Sequence, residues 1–251
     1  MSVSPMLEVR GLQKSFGGLR VTDNVDLVLN PGARTALIGP NGAGKTTLIN
    51  LITGMLSPDS GTIRLAGEDI SRLPAMGRAK HGLIRTFQVT RLFMPMTVAD
   101  NLRIPVLHRM GKEYGARWTA HVRDEVEAEI IRVLHELGLA DRAGTRADRL
   151  AYGEQRLVEL GIALLMKPRV LLLDEPAAGV PQSESHIIMS AIDRLPADLA
   201  VVFIEHDMDL VFRFAREIVV LIQGAVSATG TPAEIAADEK VRAVYFGEHQ
   251  P

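Results

Sequence analysis

The run Gly39-Pro40-Asn41-Gly42-Ala43-Gly44-Lys45-Thr46 combines a pliable turn, an amine and a hydroxyl at the spacing G-x-x-x-x-G-K-[ST], the phosphate-binding P-loop or Walker A motif. Glycines let successive backbone N–H groups turn inward around an anion, and a helix starting near Gly44 adds partial positive charge at its N-terminus. Lys45 can reach the β- and γ-phosphates of a nucleoside triphosphate, and the Thr46 hydroxyl can ligate Mg²⁺. Further along, the apolar run Val170-Leu171-Leu172-Leu173 ends in Asp174-Glu175-Pro176. Alone it reads as a buried strand with an acidic end. Behind a P-loop, Asp174 can hold Mg²⁺ through its water shell, and Glu175 can orient or deprotonate the attacking water. A second apolar run, Leu199 to Ile204, leads into Glu205-His206-Asp207. If its strand neighbours that of Asp174, His206 stands at the sheet edge where phosphates bind. The start of a helix at Leu150-Ala151-Tyr152-Gly153-Glu154 is another possible phosphate cradle, and Gln88 in Arg85-Thr86-Phe87-Gln88 carries no signal by itself.

These groups need a scaffold that brings distant strand ends together. Arg34 to Ile38 reads as the apolar strand feeding the P-loop, and Leu48, Ile49 and Ile52 as the buried face of the helix that follows. Residues 6 to about 38 read as short strands, with a turn at Asn30-Pro31-Gly32, and Ser57 to Gly61 turns into a strand Thr62–Leu65. From about Thr97 to Gly138 the period is helical. Val122, Val126, Ile130, Val133, Leu134 and Leu137 share a face, and Arg123, Asp124, Glu127 and Glu129 form a solvated one. His108 to Trp118 has no period and reads as a surface loop. From Arg169 to Leu221 strands alternate with helices, the pattern of a parallel α/β sheet.

Composition sets the outer bounds. The chain has 251 residues, 47% of them apolar and 23% charged, which suits one large domain or a core with a subdomain. A formal net charge of −2 gives no electrostatic reason to expect a nucleic-acid partner. With no cysteine, thiolate metal sites and cysteine nucleophiles are excluded. The N-terminus lacks the basic-then-apolar order of a secretory signal, and no apolar run is long enough to span a bilayer, so a membrane role requires a separate membrane chain.

Taken together and in order, the motifs resemble the ATP-binding-cassette (ABC) family over essentially the whole chain. Walker A is followed by a Q-loop at Gln88, a signature at Leu150 to Glu154, Walker B through Asp174 with Glu175, and a switch His206. Phe16 stands where that family stacks an aromatic ring on adenine. Arg85-Thr86-Phe87-Gln88, Arg91-Leu92-Phe93, Met96 to Leu102, Leu150-Ala151-Tyr152-Gly153, Glu175 to Gly179, Ile204 to Met208 and Tyr245-Phe246-Gly247-Glu248 look like the LivG-type ATPase subunit of branched-chain amino-acid importers, with urea-importer ATPases as close relatives.

The resemblance implies an α/β fold: a P-loop NTPase (RecA-like) core with an antiparallel β-subdomain at about 1–92 and 160–251, and a helical subdomain insert carrying the signature at about 93–159. It implies ATP and Mg²⁺ as ligands. Phe16, Gly39, Pro40, Asn41, Gly42, Ala43, Gly44, Lys45, Thr46 and Thr47 would hold the nucleotide. Ala151, Tyr152, Gly153 and Glu154 would meet a partner's nucleotide, because cassettes of the family pair head to tail. Gln88 would sense the cation and water, and His206 the γ-phosphate. Partners would be integral membrane permease subunits and, indirectly, a solute-binding protein, at the cytoplasmic face of the inner membrane. Two departures stand out. Ala151 replaces the usual signature serine, a loss that LivG-type chains share, and Pro181 falls where the D-loop carries aspartate. Two copies of this chain would put both departures at both sites, so a heterodimer with a different cassette is expected. Urea, amide or aromatic-acid import, and a non-transport ABC role, are the alternatives.

Overall fold

The computed structural model describes residues 4–86, 92–112 and 119–245. Alternating apolar residues around Gly17-Gly18 make the first hairpin, β1 (Leu7–Phe16) and β2 (Leu19–Leu29). β3 (Arg34–Ile38), buried along its whole length, runs into the glycine turn, and α1 (Lys45–Thr53) follows. Next come β4 (Ser60–Leu65), β5 (Glu68–Asp69), α2 (Ala75–Lys80) and β6 (Leu83–Arg85). Helices α3 (Val98–Arg109), α4 (Ala120–Glu136) and α5 (Tyr152–Leu165) precede β7 (Val170–Asp174) and α6 (Gln182–Asp193). β8 (Ala200–Ile204), α7 (Met208–Phe214), β9 (Glu217–Ile222), β10 (Ala225–Gly230), α8 (Pro232–Ala237) and α9 (Glu239–Tyr245) are the last elements among the described residues.

Two compact units result. The first comprises Met1–Arg85, Arg169–Glu175 and Pro196–Pro251. It holds both sheets, an antiparallel one in the order β2-β1-β4-β5 and a six-stranded one in the order β10-β9-β3-β8-β7-β6. In the larger sheet only β10 runs antiparallel to its neighbour. β8, and β7 up to its terminal Asp174, are apolar without alternation, as expected for strands covered on both faces. One core joins Leu7, Leu29, Leu48, Ile52, Ile63, Val170 and Val202, all but fully buried.

The second unit, Thr86–Pro168 with Pro176–Leu195, is helical among its described residues. α5 packs closely through Gly161, where a Cβ would sit 2.9 Å from Leu102 of α3 and 3.1 Å from Leu137. Val126, Ile130, Val133, Leu134 and Leu137 are buried as their spacing predicts, while Val122 is only half-buried.

Three expectations differ from the structure. The boundary expected at 159/160 falls inside α5, a continuous helix, and α6 belongs to the helical unit rather than to the core. His108 and Arg109 are the last turn of α3 rather than loop; Trp118 lies outside the described residues. The charged face of α4 is not simply solvated. Glu127 accepts from Arg103, and Glu129 from Arg109 and Lys167 at 2.6 and 2.9 Å. Those basic residues come from elsewhere in the chain, so spacing along α4 could not show them.

One buried side chain organises the first unit without any local signal. Arg78, 2% exposed, donates from Nη1 to Leu51 O and Ile52 O at 2.7 Å, from Nη2 to Ser71 O and from Nε to Leu73 O. Leu51 and Ile52 are near the C-terminus of α1, where carbonyls lack helical partners and a cation is favoured. Arg78→Met keeps most of the stem and removes those bonds. It should lower unfolding stability by about 2–4 kcal/mol, read as a shift in the denaturant midpoint at constant slope.

Candidate functional site

The site grows from the parallel register. β7 pairs with β8 so that Asp174 lies opposite Ile204, and Glu175 N–H donates to Ile204 O at 3.0 Å. Both strands therefore stop at the same edge and release Glu175 and His206 side by side. Glu175 takes φ +50°, a left-handed conformation uncommon for a side chain without a short polar group. His206 Nε2 and Glu175 Oε1 are 3.1 Å apart, the ring nitrogen donating when it carries the proton. β8 also pairs with β3, whose end opens into the glycine turn.

That turn is built by close approach. At Gly44, the N-cap of α1, φ is +97° and a Cβ would stand 2.6 Å from Val21 O. The following N–H groups of α1 have no acidic residue in the first turn to cap them. They remain available to an anion. Lys45 is buried, and its Nζ donates to Gly39 O at 2.5 Å and Pro40 O at 3.2 Å. Burial holds the Lys45 pKa below the usual lysine value; the negative charges of Glu175 and Asp174 oppose that shift.

One cavity of about 330 Å³ collects Val21, Asn41, Gly42, Ala43, Gly44, Lys45, Thr46, Thr47, Asp174, Glu175, Ile204 and His206. Residues far apart in sequence, the P-loop, Asp174-Glu175 and His206, thus share one wall. Gly39 and Pro40 do not line it; their carbonyls hold Lys45 instead. Phe16 ends β1, half-exposed, with Lys14 Nζ 5.7 Å from its ring centre, and it does not line the cavity either. Gln88 lies outside the described residues.

Among the described residues no three His, Asp or Glu side chains cluster as a metal cage. The oxygen-bearing side chains that line the cavity include the Thr46 and Thr47 hydroxyls and the Asp174 and Glu175 carboxylates, a donor set that suits a hard cation completing its shell with phosphate and water. Arg85, quoted in the sequence only as part of a motif, donates to Asp174 Oδ2 at 2.7 Å. No periodicity signals that contact, because β6 is a three-residue strand and its partner lies on β7.

The signature residues are in the second unit. Ala151 is the N-cap of α5 and cannot cap with its methyl; Glu154 Oε2 instead accepts from Ala151 N–H at 3.0 Å. Tyr152 lies under the Arg156 guanidinium, 5.1 Å from ring centre to Cζ. A Cβ on Gly153 would meet Glu184 Oε2 at 3.0 Å. Pro181 is the N-cap of α6, its carbonyl accepting from Glu184 N–H and Ser185 N–H.

A glycine loop leading into a helix, with an acidic pair and a histidine from adjacent parallel strand ends, defines a P-loop nucleotide-binding protein. The chain belongs to the ABC transporter family, whose pattern matches residues 22–178, and it is an ATPase of that family. A second family, described as branched-chain amino acid ATP-binding cassette transporter, matches residues 228–250. The chain is 41% identical to the high-affinity branched-chain amino acid transport ATP-binding protein BraF of Pseudomonas aeruginosa, over 97% of this chain and 98% of that one. It is 39% identical to LivG of Escherichia coli K12, again over 97% and 98%. A crystal structure of the ADP conformation of an ATP-binding cassette of an ABC transporter superposes with a TM-score of 0.83 at 30% identity, covering 97% of this chain and 99% of that one. Among the described residues no helix is long and apolar enough to cross a membrane.

Gly44→Ala should strain a left-handed position by about 1–2 kcal/mol and push the loop off Val21. Nucleotide titration of the folded variant should show weakened or lost binding; unchanged affinity would mean that the loop can yield without reshaping the cradle.

Proposed function

We propose that this chain hydrolyses ATP as the cassette subunit of an importer for branched-chain amino acids, acting through separate membrane subunits. The observation that carries the reading is the meeting of Lys45, Thr46, Asp174, Glu175 and His206 at one cavity. The cargo is supported by the relatives named for branched-chain amino acid transport and by the match at residues 228–250.

In this reading the α1 N-terminus and the loop amides bind the β- and γ-phosphates, and Lys45 leaves the Gly39 and Pro40 carbonyls for them. Its ammonium stabilises charge on the transferring phosphoryl group. Glu175 accepts the proton of the attacking water, and His206, bonded to Glu175 Oε1, orients that carboxylate and meets the γ-phosphate. Thr46 and Asp174, with Gln88 by resemblance, would hold Mg²⁺. When bound, that ion would supply positive charge against the charge developing on the phosphate oxygens. Phe16 offers its exposed ring to the adenine.

Ala151, Tyr152, Gly153 and Glu154 face a second cassette's nucleotide in a head-to-tail pair. Ala151 lacks the hydroxyl and Pro181 the carboxylate that would complete that face, so the partner is a different cassette with its own signature. The pair sits peripherally at the cytoplasmic face of the inner membrane, on permease subunits served by a solute-binding protein.

Glu175→Gln should keep ATP affinity and lower turnover by about 10²-fold or more, since an amide cannot take the proton. The ATP-bound pair should then accumulate on size exclusion; wild-type turnover in this variant would remove Glu175 from the chemistry. Purified alone, the chain should be a slow, mostly monomeric ATPase. Co-expression with the companion cassette and permeases should raise its turnover several-fold. A tight ATP-dependent homodimer as fast as the full assembly would overturn the heterodimer.

A further inference from the structure

Arg85 takes no part in the P-loop and ends β6, an edge strand of the large sheet. Its place is set by the β6–β7 register, in which Arg85 pairs with Leu172, two residues before Asp174. From there the guanidinium reaches two elements. Nη2 donates to Asp174 Oδ2 at 2.7 Å, and Nη1 donates to Asn50 Oδ1 at 2.6 Å. The Arg85 and Asp174 side chains are each only 12% exposed, so the bond is charge-assisted and largely shielded from water. Asn50 belongs to α1, the helix that begins with Lys45 and Thr46. One planar fork therefore ties the Asp174 carboxylate to the helix that carries the phosphate-binding amine and hydroxyl.

We propose that Arg85 is a positioning residue that fixes the Asp174 carboxylate against α1 and so sets the Mg²⁺ concentration needed for nucleotide binding. The inference rests on the metal-directed role given to Asp174 above. Arg85 holds the carboxylate through Oδ2, and that bond orients it. Two effects of opposite sign follow from removing the guanidinium. Loss of a cation favours a divalent ion electrostatically. Loss of the tether frees a shielded carboxylate to turn toward Lys45, the other cation whose charge it feels. Inside the pair the Arg85 charge is already balanced by Asp174, so the geometric effect prevails. Lysine could supply the charge but not the fork that reaches Asn50 and Asp174 together.

The test uses the full chain and titrates a non-hydrolysable ATP analogue in EDTA and across a Mg²⁺ series, with thermal melts as a folding check. Arg85→Gln should raise the Mg²⁺ needed for half-maximal analogue binding by about tenfold, the loss typical when the partner of a metal-directed ligand is removed. Its affinity in EDTA should stay at the wild-type value. Asn50→Ala leaves both charges in place and should raise the Mg²⁺ requirement by a smaller factor, and it carries the test if Arg85→Gln does not fold. Arg85→Lys should fall between wild type and Arg85→Gln. An unchanged or lowered Mg²⁺ requirement in the folded Arg85→Gln and Asn50→Ala variants would overturn the proposal. So would an equal loss of affinity in EDTA and in Mg²⁺, which marks a purely structural role. Asp174→Asn separates the two levels. If it leaves the Mg²⁺ dependence untouched, the role given to Asp174 fails first; if it shifts that dependence while Arg85→Gln and Asn50→Ala do not, only the role of Arg85 fails.

Discussion

The parallel pairing of β3, β8 and β7 is the constraint on which the site depends. Parallel strands end at a common edge, so three segments far apart in the chain deliver their next residues to one place. β3 delivers the glycine loop, β7 delivers Asp174 and Glu175, and β8 delivers His206. The side-chain period of a strand is two, so a slip of one residue in β7 would turn Asp174 to the opposite face. Burial of all five residues of β8 and four of β7 forbids that slip, because polar flanking residues would have to enter the core. The last rung, Glu175 N–H to Ile204 O, is also what holds Glu175 in its left-handed conformation. Backbone strain at that residue is sustained by the same register that aligns it with His206.

Charge in the first unit is arranged by carbonyls as much as by ion pairs. Lys45 and Arg78 are both buried, and each is surrounded by main-chain oxygens. A buried cation needs such partners, since leaving water is costly. For Arg78 the partners are permanent and cap α1. For Lys45 two of them are carbonyls of its own loop, which can be exchanged for phosphate oxygens. Arg85 is different in kind: its partners include the Asp174 carboxylate and an amide oxygen, so it links the acidic strand end to α1.

In the second unit the departures from the usual motifs are absorbed locally. Ala151 offers no side-chain cap, and Glu154 closes the Ala151 N–H from inside the first turn. Pro181 opens α6 at a φ of −53° that suits its ring, and its carbonyl receives the Glu184 and Ser185 N–H groups. Both helices therefore start cleanly. What the substitutions remove is not helix stability but polar groups that a helix start could present outward.

Much of this was legible in the sequence by itself. The order of motifs specified the family. Apolar runs specified β3, β7 and β8, and spacing placed Val126, Ile130, Val133 and Leu134 on the buried face of α4. Those features are local: glycine freedom, strand burial and helical period act within a few residues, so they leave a trace in neighbouring positions. The tertiary structure decided what depends on residues meeting across the chain. It set Arg85 on Asp174, Arg78 under the end of α1, and Glu129 between Arg109 and Lys167. It carried α5 past the expected domain boundary and left Phe16 outside the lining of the phosphate cavity. A lone arginine looks the same in sequence whether it faces water or caps a helix. Its role is fixed only when folding brings distant acceptors within about 3 Å, the reach of a hydrogen bond.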